Sequence, residues 1–537
     1  MQANIETIRY IVQSASKIAV VVLMTSTASD VKAQEAAERY DVLTYGAVAD
    51  SSLLSTEAIQ GAINACFADG GGVVYLPPGQ YRSGTLVLKD NVTLFLEKGA
   101  TLHASRNIND YRMPLENATR PVFLYANGAK NITLAGGGTI HGGAKRSYED
   151  LRKTDAFIKD ITENAKAAGV EMKMYYVVKP DVALVVFTDC ERVTVQDITL
   201  EESSFWTLHI MKSSRVRIHD VKVFSSLEQG VNADGIDINS CSDVEISDCV
   251  ISTGDDAIVL KTWFDEPCEN VSVKRCILTS SSTALKIGTE SHGDFRNIRF
   301  DSCTILNTNR GLSIVVRDGG NVEDVRFSNI TIDCSRRHFN WWGNGDPIWI
   351  YLTKKNERSP VGSIKNVSFL NIQARARGTS RIESTVGDRI EFVVFKNVSL
   401  TMLEENYLDK RADHALAIDH VRNLTVQGFS VNWQDDSPEP LWGSALVLSN
   451  VEEVQVGNFM GRQGRLESEE PVIALHNAQS VQLRNCQSEP GAHTLVYVSG
   501  EQSQSIELNG INGNKHAKSP LEVDASVVHP ETIVLKP

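Results

Sequence analysis

An all-β solenoid, a parallel β-helix closed at its N-terminal end by a capping helix, is the fold that three features of this sequence predict. A short pattern of alternating apolar residues recurs twelve times. Its central copies step by a constant 27 residues. Between these copies there is no helix-length amphipathic segment, so a sheet built from βαβ units does not fit the region.

The pattern reads apolar, x, apolar, x, x, small or apolar, x, apolar. It starts at Val193, Val216, Val244, Val271, Ile298, Val325, Val367, Val393 and Leu424, and more weakly at Val454, Val481 and Ile506. The earliest steps are 23 and 28 residues, followed by three of 27. Each element is short, alternating and rich in β-branched residues, which suits a pleated, half-buried surface. One repeat is then one coil, and coils stack about 4.8 Å apart.

The ends of the chain fit a solenoid. Residues 1–33 hold the apolar run "KIAVVVLMTSTAS" and end near a small residue, Ala33. The run is too short to cross a bilayer, and it is read as a signal peptide cut near Ala33. The remainder, 34–537, is expected to be one exported domain, periplasmic or extracellular, free of the membrane after cleavage and monomeric. "STEAIQGAINACFADGG" from Ser55 has a helix-capping residue, apolar residues at helical spacing and a glycine stop. It can cover the first coil, whose backbone groups would otherwise be unpaired. Two stretches interrupt the repeat: a charged, helix-favouring insertion at 143–180 and "SRRHFNWWGNGDPIW" at 335–349.

The chain has 537 residues and a formal net charge of −14. This acidic balance argues against a nucleic-acid partner, which requires clustered Lys and Arg. Nine cysteines cannot all pair within one exported chain. Cys249, Cys276 and Cys303 share one repeat position and read as a buried stack of small apolar side chains. Cys241 and Cys268 share another, where stacking allows a bridge.

The central coils align on themselves as "FWTLHIM" from Phe205, "ADGIDIN" from Ala233, "DDAIVLK" from Asp255, "STALKIG" from Ser282 and "NRGLSIV" from Asn309. Positions four and six are apolar in every row and must point inward. Position three is small and fits a bend. Position two reads Trp206, Asp234, Asp256, Thr283 and Arg310, and position five reads His209, Asp237, Val259, Lys286 and Ser313, both facing out. Asp234, Asp255 and Asp256 thus converge on one patch. Like charges at short range raise at least one pKa, so one carboxyl keeps its proton near neutrality while another stays ionised. That pairing is what hydrolysis of a glycosidic bond requires. Trp206, and Trp341 and Trp342 in the second insertion, are candidate sugar platforms. The same carboxylates could hold Ca²⁺, but Lys286 and Arg310 fall near the patch. No metal or cofactor is therefore expected.

"NADGIDI" at 232–238 and "STGDDAIVLK" at 252–261 resemble the "NTDG" and "GDD" motifs of glycoside hydrolase family 28, the polygalacturonases and rhamnogalacturonan hydrolases. "YDVLTYGAVAD", "GGGVVYLPPGQY" and "ESSFWTLHI" extend the resemblance from about Tyr40 to Thr331. It implies a right-handed β-helix and inversion at the anomeric centre. By it, Asp255 is the general acid, and Asp234 and Asp256 hold and activate the water. Asn232, Trp206, His209, Thr283, Lys286, Glu290, His292, Arg310, Trp341 and Trp342 are the expected substrate contacts. The departures matter as much. Where polygalacturonases have "GHG", Thr283 takes the His position, and His292 is a candidate replacement. Where they have Arg-Ile-Lys for a substrate carboxylate, this chain has Ser313-Ile314-Val315, which cannot make a bidentate contact. The expectation is cleavage of rhamnogalacturonan or galacturonide ends, exo-acting, rather than of plain polygalacturonate. A Ca²⁺-dependent polysaccharide lyase and a non-catalytic glycan-binding β-helix are the alternatives.

Overall fold

A computed structural model describes residues 38–537 except 114, 117, 151–155, 171–175, 338–341, 435–437, 512–515 and 537. The segment read as a signal peptide and Trp341 lie outside the described residues. Tyr40–Pro537 forms one unit, a right-handed parallel β-helix. Every strand pairing between coils is parallel; the antiparallel pair Tyr148–Asp150 with Tyr176–Val178 lies within the first insertion.

The repeat is the ladder. Val193 pairs with Val216, then Val244, Val271, Ile298 and Val325, each one coil further along. The register continues through Val367, Val393, Leu424, Val454, Val481 and Ile506. Within a coil the pattern covers two short strands, for example Ser242–Ser247 and Val250–Thr253. They meet at Asp248, whose φ of 58° turns the chain. Asn and Asp tolerate this left-handed conformation better than other non-glycine residues, and Asp197, Asp220 and Asn329 repeat it on other coils. Asparagine amides also bond from coil to coil, as Asn297 donates to Asn270 at 2.8 Å.

Inside, like stacks on like. Phe300, Phe327, Phe369 and Phe395 form a fully buried column with ring centroids 4.8–5.2 Å apart. Cys249, Cys276 and Cys303 are buried in the same manner. Cys241 and Cys268 are unbridged: both are free and buried, and the Cys241 thiol donates to the carbonyls of Ile210 and Asn239.

The capping helix is Thr56–Ala68, burying Ile59, Ala62, Ile63 and Cys66 against the first coils. Ser55 stands at its N-cap, but its hydroxyl is spent on the backbone of Val48 rather than on the helix. The first insertion carries a second helix, Ala156–Ala167. The second insertion is shorter than its sequence implies, because 346–349 belong to the strand Asp346–Leu352 in the wall of the coil.

A second sheet carries the aligned segments. Leu208, Ile236, Ile258, Leu285 and Leu312 form one inward column, and Ile210, Ile238, Leu260, Ile287 and Ile314 the next. The small residue at the bend is required by contact. A Cβ on Gly235 would lie 2.4 Å from the Ala257 carbonyl oxygen, and one on Gly311 2.5 Å from that of Pro347. Overpacking of this kind costs about 1–3 kcal/mol. Gly235→Ala should therefore lower the melting temperature, read by calorimetry. At Gly387 an added Cβ would meet no atom within 4 Å, so an alanine there should act only through its left-handed φ.

Candidate active site

The bend before the second sheet places the carboxylates. The Thr207 amide bonds to the Asp234 carbonyl and the Gly235 amide to that of Asp256, so Asp234 and Asp256 sit at the same point of successive coils. Asp255 precedes the bend, and its carbonyl accepts from the hydroxyls of Thr253 and Ser280. One carboxylate oxygen from each of Asp234, Asp255 and Asp256 lies within 4.8 Å of the others.

Their surroundings separate them. Burial, then Asp234 and Asp256, push the Asp255 carboxyl well above the ordinary range. Burial also raises Asp234, to about 7, against the pull of Lys261. Asp256 is just as buried, but Lys286 and Lys261 outweigh that and hold it below the usual value. Its Oδ2 accepts from Lys286 Nζ at 2.6 Å, and its Oδ1 from the Ser282 hydroxyl at 2.8 Å and the Thr283 amide at 3.2 Å. The patch therefore biases one carboxyl towards its protonated form and its neighbour towards the ionised form. Two ammonium groups already stand among these oxygens: Lys286, and Lys261 at 3.8 Å from Asp234 and from Asp237. A calcium ion needs six to eight oxygen ligands, and these cations oppose it, so the residues do not fit Ca²⁺.

The remaining candidates divide. Thr283 joins the cluster through its amide, and Glu290 through Lys261 at 3.3 Å. Burial works against a charge on Glu290, but Lys261 and Lys286 hold its carboxyl down at about 2. Asn232 is half-buried in the loop before Asp234. His292 is exposed, with its amide on the Thr262 carbonyl; among the described residues no hydrogen bond or ion pair joins its ring to the aspartates. Trp206 and His209 differ from expectation. Trp206 is 8% exposed, with its ring against Phe205, Trp263 and the Lys261 ammonium at 4.3 Å. His209 is 5% exposed and wedged edge-on between Trp206 and Trp263. Burial, with Lys261 and Arg120 nearby, lowers its pKa to about 3, so the imidazole is neutral. Arg310 is turned away to Asp346 and stacks 3.7 Å above Trp349. Trp342 is 43% exposed on the second insertion.

Sequence alignment overlooked Lys261 and Trp263. Lys261 was legible: with Ile258 and Leu260 inward, strand alternation points Val259 and Lys261 outward. Trp263 lies past the strand, where no periodicity applies. Apart from the half-buried Lys286, the outward fifth column is also buried: Asp237 is 0% exposed, and neither of its oxygens has a hydrogen-bond partner among the described residues.

A carboxyl that is protonated when folded and ionised when unfolded destabilises the fold at neutral pH. The cost disappears below the unfolded value near 4, where both states are protonated. Asp255→Asn should therefore raise the melting temperature at pH 7 by roughly 1–3 °C. The advantage over the parent should shrink as pH falls to about 4, measured by calorimetry across that range.

The sequence profile described as Glycosyl hydrolases family 28 matches residues 77–408, more than half of the chain. A second, Rhamnogalacturonase A/epimerase, pectate lyase-like, matches residues 40–110. A probable polygalacturonase of Vitis vinifera is 24% identical over 245 residues, 42% of this chain and 44% of that protein. An exo-poly-alpha-D-galacturonosidase of Dickeya chrysanthemi is 28% identical over 251 residues, 41% of each. The chain thus spans less than half the length of these curated relatives. The family 28 exopolygalacturonase of Yersinia enterocolitica shares the fold, with a TM-score of 0.60 at 19% identity over 78% of both chains. On the match across 77–408, which includes all three aspartates, the protein belongs to glycoside hydrolase family 28.

Proposed function

We propose that this protein hydrolyses glycosidic bonds in a pectic or related acidic polysaccharide, with Asp255 as general acid and with Asp256 and Asp234 holding and activating the water. The observation that carries the reading is the opposite bias of adjacent carboxyls, Asp255 held protonated and Asp256 held ionised. Asp255 can give its proton to the departing oxygen while Asp256 draws one from water. The Asp255 carboxylate left behind is then relieved by Lys286 and Lys261, which already lower its proton affinity.

The spacing bears on stereochemistry. Most inverting glycosidases keep acid and base about 6.5–9.5 Å apart to admit a water, whereas these oxygens lie within 4.8 Å. Inversion is proposed here on the family resemblance and not on this spacing, with Asp234 and Asp256 on successive coils as the seat for the attacking water. Rhamnogalacturonan, or the ends of galacturonide oligosaccharides, are the proposed substrates. Thr283, Ser313 and Val315 supply neither the imidazole nor the cations associated with smooth polygalacturonate. Export and a monomeric state belong to the same proposal.

The deciding experiment offers homogalacturonan and rhamnogalacturonan and follows new reducing ends, with the first product's anomer read by proton NMR. Expected are turnover of the second, an anomer opposite to the linkage cut, and a loss of about 10²–10⁴-fold in Asp255→Asn. Calcium-dependent release of ultraviolet-absorbing unsaturated products would make the protein a lyase. Binding with no turnover would make it a glycan-binding β-helix.

Exo-action is proposed from the first insertion, whose helix Ala156–Ala167 and strand pair interrupt the repeat on the N-terminal side of the aspartates and are proposed to close off one end of the substrate site. Replacing residues 147–178 by a short linker should change the early products from one or two sugars to a broad ladder on chromatography; an unchanged product length would count against the insertion enforcing exo-action.

A further inference from the structure

Three ion contacts lead from the catalytic cluster to a cation that the alignment did not single out. Asp234 faces Lys261 at 3.8 Å, Lys261 faces Glu290 at 3.3 Å, and Glu290 faces the Arg317 Nη2 at 3.6 Å. Arg317 directly follows the strand Arg310–Val316. Leu312, Ile314 and Val316 of that strand are in the core, so Ser313, Val315 and Arg317 form its outward row.

The chemistry of Arg317 is incomplete within the protein. Its contacts to Glu290 and to Asp318, at 3.6 and 3.8 Å, are longer than hydrogen bonds. Its Nε is buried without a hydrogen-bond partner among the described residues, and a third of the side chain is reachable from outside. Asp318 in turn is shared with Lys355 of the next coil at 3.6 Å and accepts from the Ser291 amide. Other cations nearby are engaged more closely. Lys286 donates to Asp256 at 2.6 Å, Arg310 pairs with Asp346 and stacks over Trp349, and Arg381 grips Asp413 with two bonds of 2.7 Å. A guanidinium that is one third exposed, and whose ion contacts are longer than hydrogen bonds, suits a carboxylate, which it can meet with two parallel hydrogen bonds.

We propose that Arg317 recognises the carboxylate of a uronate unit bound on the C-terminal side of the catalytic aspartates. The inference rests on the glycan-hydrolase reading and adds to it the group that selects an acidic sugar. Ser313 and Val315 leave the near end of the row without charge, and the cation stands at its far end. The recognised unit is therefore offset along the strand from the point beside Lys286.

The test compares Arg317→Gln and Arg317→Lys with the parent on uronate-containing oligosaccharides and on the same oligosaccharides with carboxyls reduced to alcohols. Arg317→Gln should raise KM about 10-fold or more on the acidic substrate, with kcat within about threefold. It should leave the reduced substrate unaffected, and Arg317→Lys should fall between. An equal loss on both substrates, or a kcat loss without the KM shift, would show a structural role and overturn the inference; a melting curve for each variant shows whether it folds. If the parent turns over neither substrate, the hydrolase reading fails by itself. Calorimetric titration of the parent and Arg317→Gln with trigalacturonate then still decides the inference, because equal affinity, or no binding to either, overturns it.

Discussion

The in-register parallel ladder is the constraint on which the rest of this molecule depends. Each coil hydrogen-bonds to the next at a fixed spacing of about 4.8 Å, and the register runs without a slip from Val193 through Ile506 at the repeat's first apolar position. Side chains at equivalent positions must therefore stack on one another. In the core this gives the phenylalanine and cysteine columns. At the bend before the second sheet it gives Asp234 over Asp256. The same rule produces a well-packed interior and an electrostatically costly surface.

Much of this was legible in the sequence because stacking makes alignment internal to the chain. The repeat starts, the inward columns and the convergence of the three aspartates follow from period and alternation alone. What was not legible is what covers the outward face. Position five was read as facing out, but the direction does not mean exposure, and His209 and Asp237 are buried. Trp206 was read as a platform, yet Phe205, Trp263 and Lys261 pack around it. Periodicity states which way a side chain points, not whether another layer lies beyond it. Arg310 shows a second limit. Its column was correct, but a guanidinium reaches several ångströms, and its partner Asp346 comes from a stretch that the sequence presented as an insertion. Ser55 shows a third, since a residue suited to capping spent its hydroxyl on Val48 instead.

Departures at Thr283, Ser313 and Val315 are coherent when seen with the cations. Lys286 fills the outward place one coil before Ser313 and bonds Asp256 directly. The ammonium that sets the charge state of the proposed base therefore occupies space beside it. With uronate recognition at Arg317, as proposed, Ser313 and Val315 leave room for a sugar without a carboxylate. An alternating polymer, neutral unit next to acidic unit, matches that order better than a polymer acidic at every position.

The rigidity of the ladder also explains why the charge conflict persists. In a flexible loop, three crowded carboxylates would relax by moving apart. Here Asp234 and the Asp255–Asp256 pair are tied to different coils by backbone bonds at Thr207, Gly235 and Ala257, and separating them would break the ladder on both sides. Two means of relief remain: a proton, or a cation held alongside. Both are present. Asp255, whose carboxyl is pushed well above the ordinary range, is the group biased towards the proton. Lys261, on the strand that follows the pair, and Lys286, one coil further on, neutralise Asp256 and restrain Asp234. A carboxyl biased towards its proton beside one biased towards charge is thus not an arrangement added to the scaffold. It is the state to which a rigid stack of aspartates must settle when cations are too few to neutralise all of them.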